Sequence, residues 1–161
     1  MIIYLKHILL ALIIISLESS LLFKKTFNLY TNPDIFLVYI FWLSLYDRED
    51  TALITALFGG ILLDLLMPSE SIINVLIYLS LTLITLKLKE KFLISNIFMK
   101  FLIITAISMY IILLNILYNF ILSKVLVLDV MTYLFYWISN LVLIYLVYYL
   151  REFLMFRYDK V

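Results

Sequence analysis

The chain has 161 residues, 66% of them hydrophobic and only 14% charged, where soluble domains average about 45–50% apolar and about 25% charged. That excess is more than a water-soluble core can bury and points to a multi-span membrane protein. The lack of cysteine and the single histidine exclude disulfides, thiolate metal sites and a histidine metal cluster, and a net charge of +1 spread over connections argues against a nucleic-acid surface.

A hydrocarbon core of ~30 Å needs ~20 helical residues. On that rule the expected fold is an all-α integral membrane protein, one domain over 1–161 with six spans at about 2–23, 33–46, 51–67, 72–86, 101–122 and 130–150. The first span has a basic start, but Glu18 interrupts it and no small-residue cleavage site follows, so it is expected to be a retained helix and not a signal peptide. A polar connection over 24–32 leads to Pro33 and Asp34 at the start of helix two. Proline suits the first turn because its missing N–H has no partner there. An acid suits it because the N-terminal end of a helix is positive.

The charged turn Asp47-Arg48-Glu49-Asp50 joins antiparallel helices two and three. Helix three, 51–67, reads TALITALFGGILLDLLM. Its small residues Ala52, Thr55, Ala56, Gly59 and Gly60 recur at i, i+3, i+4, i+7 and i+8, one face of a helix, with Asp64 at the edge of that face. Pro68-Ser69-Glu70-Ser71 turns into the short fourth span, which Lys87 and Lys89 extend by snorkelling. The segment 87–100 reads as a basic loop lying at the interface, 124–129 as an outer turn and 151–161 as a polar tail.

With six spans starting inside, Lys6, Arg48, Lys87, Lys89, Lys91, Lys100, Arg151, Arg157 and Lys160 fall on the inner side. Lys24, Lys25 and Lys124 fall outside, which together makes the 12 Lys and Arg of the chain. The bias places both termini in the cytoplasm. Tyr145, Tyr148 and Tyr149 then form an inner aromatic belt, and Trp42 and Trp137 read as packing or interfacial aromatics.

This topology gathers polar groups in the outer half: Glu18, Asp64, Asn74 at the start of helix four, and Asn115 and Asn119, one turn apart on helix five and on one face with Thr105 and Ser108 further down it. Asn140 lies nearer mid-membrane. Two readings stand side by side. One is hydrogen bonding between helices, worth about 0.6–2 kcal/mol per contact. The other is an outward polar cleft that meets a partner helix, a lipid headgroup or a solute. Asp64 is the strongest candidate for the second, because acids inside a membrane are costly. Ala52, Ala56, Gly59 and Gly60 are a face for close helix approach, either within the chain or to a partner. His7 reads as a snorkelling or capping residue, and the inner lysines as topology determinants with contact to anionic lipid second. No Ser/His/acid set, phosphate loop or metal-spaced carboxylates are present, so no catalytic, cofactor or metal site is expected.

Asn32-Pro33-Asp34, Phe41-Trp42, the turn Asp47–Asp50 and Ala56-xxx-Gly60-xxx-Asp64-Leu65 occur in an order that resembles the MreD family of rod-shape-determining proteins. The resemblance covers about 32–92, and total length, six spans and inward termini agree with it. One departure is the turn after the acid-bearing helix, which has Pro68-Ser69-Glu70-Ser71-Ile72 where the family often has glycine. The resemblance implies a non-catalytic scaffold of the bacterial elongation machinery in the cytoplasmic (inner) membrane. Its implied partners are a bitopic MreC-like protein and, through it, MreB, RodA and a class B penicillin-binding protein. The implied fold is similar to the substrate-binding component of energy-coupling-factor transporters, which makes a solute-binding transporter subunit the alternative expectation.

Overall fold

The computed structural model describes residues 2–20, 34–66, 73–123 and 130–158, and the side chains of Asn115 and Asn119 fall outside that description. The described residues form helices and no strand: α1 (Ile2–Ser19), α2 (Ile35–Tyr46), α3 (Glu49–Leu66), α4 (Asn74–Ile94), α5 (Ile97–Ser123) and α6 (Val130–Tyr158).

α2 is the centre of the bundle and packs against α1, α3, α4 and α6. It has 12 residues, among them the buried Phe36, Leu37, Val38, Ile40, Phe41, Leu43, Ser44 and Leu45. A helix that is apolar all round has no solvent face and belongs in the interior. At 1.5 Å per residue it is only about 18 Å long. Ser44, inside this helix, returns its hydroxyl to Ile40 O at 2.7 Å and so needs no partner from another helix.

α3 packs on α4 more extensively than any other pair, and α1 lies against α3 on its other side. The small face of α3 is used up in these contacts: Thr51, Ala52, Thr55, Ala56, Gly59, Gly60 and Leu63 are all buried. A Cβ at Gly59 would overlap the Phe36 ring, and one at Gly60 would lie 2.6 Å from Val75 Cα and 2.8 Å from Val75 N. Gly59 therefore makes room for a ring, and Gly60 lets the α3 and α4 backbones touch.

Several boundaries differ from those expected. The basic segment 87–100 is not a loop: α4 continues through Ile94, and α5 begins at Ile97. Lysine, glutamate and leucine propagate a helix well, so charge alone did not mark its end. The break is at Ser95 and Asn96. The Ser95 hydroxyl bonds back to Lys91 O, and Asn96 Oδ1 accepts the Met99 N–H at 2.9 Å as the cap of α5. Likewise 151–158 is not a free tail but the last turns of α6. The first helix is described to Ser19, with the Ser19 and Ser20 hydroxyls turned back to Ser16 O and Leu17 O. Pro33 and the turn at 68–71 lie outside the described residues.

The outward faces are apolar. Along α1, Leu5, Leu9, Ile13 and Leu17 are exposed at four-residue spacing, while His7, Ala11 and Ile15 are buried on the opposite side. On α5 and α6, Phe98, Leu102, Met109, Leu113, Phe135, Ile138, Val142 and Leu146 are exposed. Among the described residues two helices are long and apolar enough to cross a membrane: α5, with mean hydropathy 2.4 over Ile97–Leu114, and α6, with 1.5 over Tyr133–Leu150. α2 is apolar but short, and α3 and α4 carry charges at their ends, Glu49 and Asp50 on one and Lys87, Lys89, Glu90 and Lys91 on the other.

Candidate functional site

The polar residues collect at the two ends of the bundle. At one end the C-terminus of α1, the start of α2, the C-terminus of α3 and the start of α4 come together. The first turn of a helix leaves backbone N–H groups without intrahelical partners, and these carry a partial positive charge. The described carboxylates of this end, Glu18, Asp34 and Asp64, are aimed at such groups.

Asp34 is the N-cap of α2, its Oδ1 accepting the Leu37 N–H at 2.6 Å. Its Oδ2 accepts the Tyr78 hydroxyl of α4 at 3.0 Å, and the Tyr136 hydroxyl of α6 approaches the same carboxyl. Glu18, from the last turn of α1, accepts the Phe36 N–H at 3.0 Å and lies close enough to Asp34 for the two carboxyls to interact directly. Asn140 of α6 is 2% exposed; its Oδ1 accepts the Asp34 N–H at 2.8 Å, and its Nδ2 donates to Tyr136 O at 3.0 Å. The start of α2 thus receives a side chain from α1, α4 and α6 as well as its own cap.

Asp64 performs the same task for α4. Its Oδ1 accepts the Asn74 N–H at 3.1 Å and the Asn74 side-chain amide at 2.9 Å, and its Oδ2 accepts the Val75 N–H at 3.4 Å. The acid sits beyond Gly60 on α3 because Gly60 is where the two backbones meet, so a carboxylate one turn later faces the N–H groups of the neighbouring helix. These bonds make Asp64 a bridge between α3 and α4.

Of the other outer polar residues, Glu18 and Asn74 have described side chains, and they serve two neighbouring helix starts. Glu18 belongs to the start of α2 and Asn74 to the start of α4, with Tyr78, one turn after Asn74, between the two groups. A relay from Glu18 to Asp64 has no direct link here. The side chains of Asn115 and Asn119 lie outside the described residues. Their neighbour on α5, Ser108, accepts the Trp137 indole N–H of α6 at 2.7 Å and donates to Thr105 O at 2.9 Å. Trp137 is thus a hydrogen-bonding partner across α5 and α6.

At the opposite end His7 of α1 is 8% exposed and stands between two partners. Nδ1 lies 2.8 Å from the Tyr39 hydroxyl of α2, and Nε2 lies 3.0 Å from Asp47 Oδ2 at the α2 C-terminus. Asp47 Oδ1 also accepts the Arg48 N–H at 2.7 Å, and its carbonyl accepts Lys89 Nζ of α4 at 3.0 Å. His7 is a buried pin between α1 and α2, in place of the snorkelling or capping residue expected. Sequence spacing contains no signal for it, because its partners come from another helix 32 and 40 positions away.

What this arrangement does chemically is to join helix ends. The acids accept from backbone N–H groups and hydroxyls. Among the described residues no group of three or more His, Asp or Glu comes together that could hold a metal ion. No family model, curated protein or solved structure matches the chain.

Proposed function

We propose that the chain is a non-catalytic, six-span scaffold of the bacterial cell-elongation machinery, an MreD-like protein of the inner membrane with both termini in the cytoplasm. In this role it associates with a bitopic MreC-like protein, and through it with MreB, RodA and a class B penicillin-binding protein. The membrane placement is supported by the outward apolar faces of α1, α5 and α6. Contiguous exposed apolar surface of that kind is uncommon on a soluble monomer. The basic residues gathered at the His7 end of the bundle support the inward termini.

The observation that supports the family reading is the use made of residues on which the resemblance rests. Asp34, Gly60 and Asp64, spaced as in the resembling family, are the groups that cap α2, bring α3 onto α4 and cap α4. Residues that serve as helix caps and close-packing points suit a scaffold. Helix three spends its small face on its own bundle, so the partner meets the outward faces of α1, α5 or α6 instead.

Affinity purification of the tagged chain from its native membranes tests this reading. A bitopic protein with a large periplasmic domain, recovered in stoichiometric amount, is the expected result. Recovery of the chain alone, or with a bound vitamin-like molecule, contradicts it.

A further inference from the structure

The helices differ in the apolar length they turn outward. A hydrocarbon core is ~30 Å deep. After Lys100, α5 carries no charge as far as Ser123, about 35 Å at 1.5 Å per residue, and α6 carries none from Val130 to Leu150, about 30 Å. Both lengths match or exceed the core. Those of α3 and α4 fall short. On α3, Asp50, Ile54, Leu57, Ile61 and Leu65 are exposed on one face. From Asp50 to the helix end at Leu66 is about 24 Å. On α4, Leu76, Leu83, Lys87 and Glu90 are exposed on one face. From the helix start at Asn74 to Glu90 is again about 24 Å. At the other end the connection of these helices turns polar at Pro68-Ser69-Glu70-Ser71, and Asn74 bonds Asp64. The charges that limit the apolar length thus stand on the outward stripes themselves.

A face shorter than the core is matched by snorkelling, by a partner helix or by thinning of the bilayer. Lys87 has the stem to reach outward; Asp50 and Glu90 are short acids that lack it. A partner helix laid along either stripe would bury its acid. Charge complementarity selects the occupant: the stripes end in charges of both signs, and a zwitterionic headgroup layer offers both. We infer that the outward face of α3 and α4 fits a locally thinned bilayer, about 24 Å between its polar layers, while α5 and α6 meet hydrocarbon of ordinary depth. Any tilt of the two helices makes the fitted thickness smaller. The chain therefore draws short-chain lipid to its α3–α4 side. The inference rests on the membrane placement proposed above.

The full chain is reconstituted into vesicles of phosphatidylcholine with short (dimyristoleoyl), ordinary (dioleoyl) or long (dierucoyl) acyl chains, and thermal unfolding is followed by tryptophan fluorescence. The unfolding temperature should be highest in the short-chain lipid and about 5 °C lower in the long-chain one, as a modest cost per Å of mismatch implies. Lys87→Leu combined with Glu90→Leu lengthens the apolar face of α4, because Lys91 beyond it can reach outward along its stem. The double variant should roughly halve the difference between short and long chains. The readout is the chain length that suits the protein best, so a general loss of stability in the variant does not affect it. An unfolding temperature that peaks in dioleoyl or dierucoyl lipid, or is the same in all three, overturns the inference. So does a chain-length dependence unchanged in the double variant. If the variant fails to fold, the wild-type series decides alone. A chain that enters none of the vesicles overturns the membrane placement itself.

Discussion

Gly59 and Gly60 are adjacent, yet they stand in for different neighbours. A methyl at Gly59 would meet the ring of the fully buried Phe36, whereas one at Gly60 would meet the backbone of Val75. Overpacking of this kind typically costs about 1–3 kcal/mol. Gly59→Ala is therefore expected to lower the thermal unfolding temperature in detergent, and Phe36→Leu in the same chain should recover part of the loss. Gly60→Ala should be at least as damaging and should gain nothing from Phe36→Leu, since backbone cannot be trimmed. Recovery of both variants alike would show that the two glycines share one neighbour. The small-residue face was legible from spacing alone, because a 3.6-residue period puts Ala52, Ala56, Gly59 and Gly60 together. The identity of what fills it was not, because Phe36 and Val75 come from other helices.

At the level of elements, α2 is held at both ends by side chains of its neighbours: Glu18, Tyr78 and Asn140 at its start, His7 and Lys89 at its finish. A short apolar helix cannot align itself by a polar face, so these contacts set its depth and direction. The His7–Asp47 contact is the separable one. In a double-mutant cycle, His7→Ala and Asp47→Ala should each destabilise the bundle, and the pair should cost less than the two added together. The coupling expected for two buried or half-buried partners in contact is about 0.5–3 kcal/mol by chemical unfolding in detergent. Additive costs would mean that the two groups act apart. That Asp34 serves the positive start of α2 could be read in advance from an acid beside a proline before an apolar run, whereas its place as the N-cap of a helix beginning at Ile35 could not. The partners of Asp64 could not, because a helix-edge acid looks alike whether it meets a neighbouring helix start or a cleft. The continuation of α4 through Ile94 was hidden for another reason: Lys87, Lys89, Glu90 and Lys91 resemble a surface loop by charge and a helix by propensity.

For the whole molecule, an apolar core is surrounded by outward faces that are apolar as well. Hydrogen-bonding groups are spent inside on helix ends, and Leu5, Ile13, Leu102, Met109, Val142 and Leu146 face out. In a membrane, as proposed, such faces would meet lipid or partner helices, while Glu18, Asp34 and Asp64 are engaged at helix starts. That is suited to a component that holds others in place. Composition and charge bias made the all-helical class legible, while the grouping of polar residues into two helix-end networks depended on which helices are neighbours. The proposed role of this bundle in cell elongation is tested most directly by depletion of the chain in the organism that makes it. On controlled shut-off, rod-shaped cells should widen and round within a few generations and return to rods when the wild-type chain is restored. Cells that keep their width and rod shape after the protein has disappeared from their membranes would contradict it.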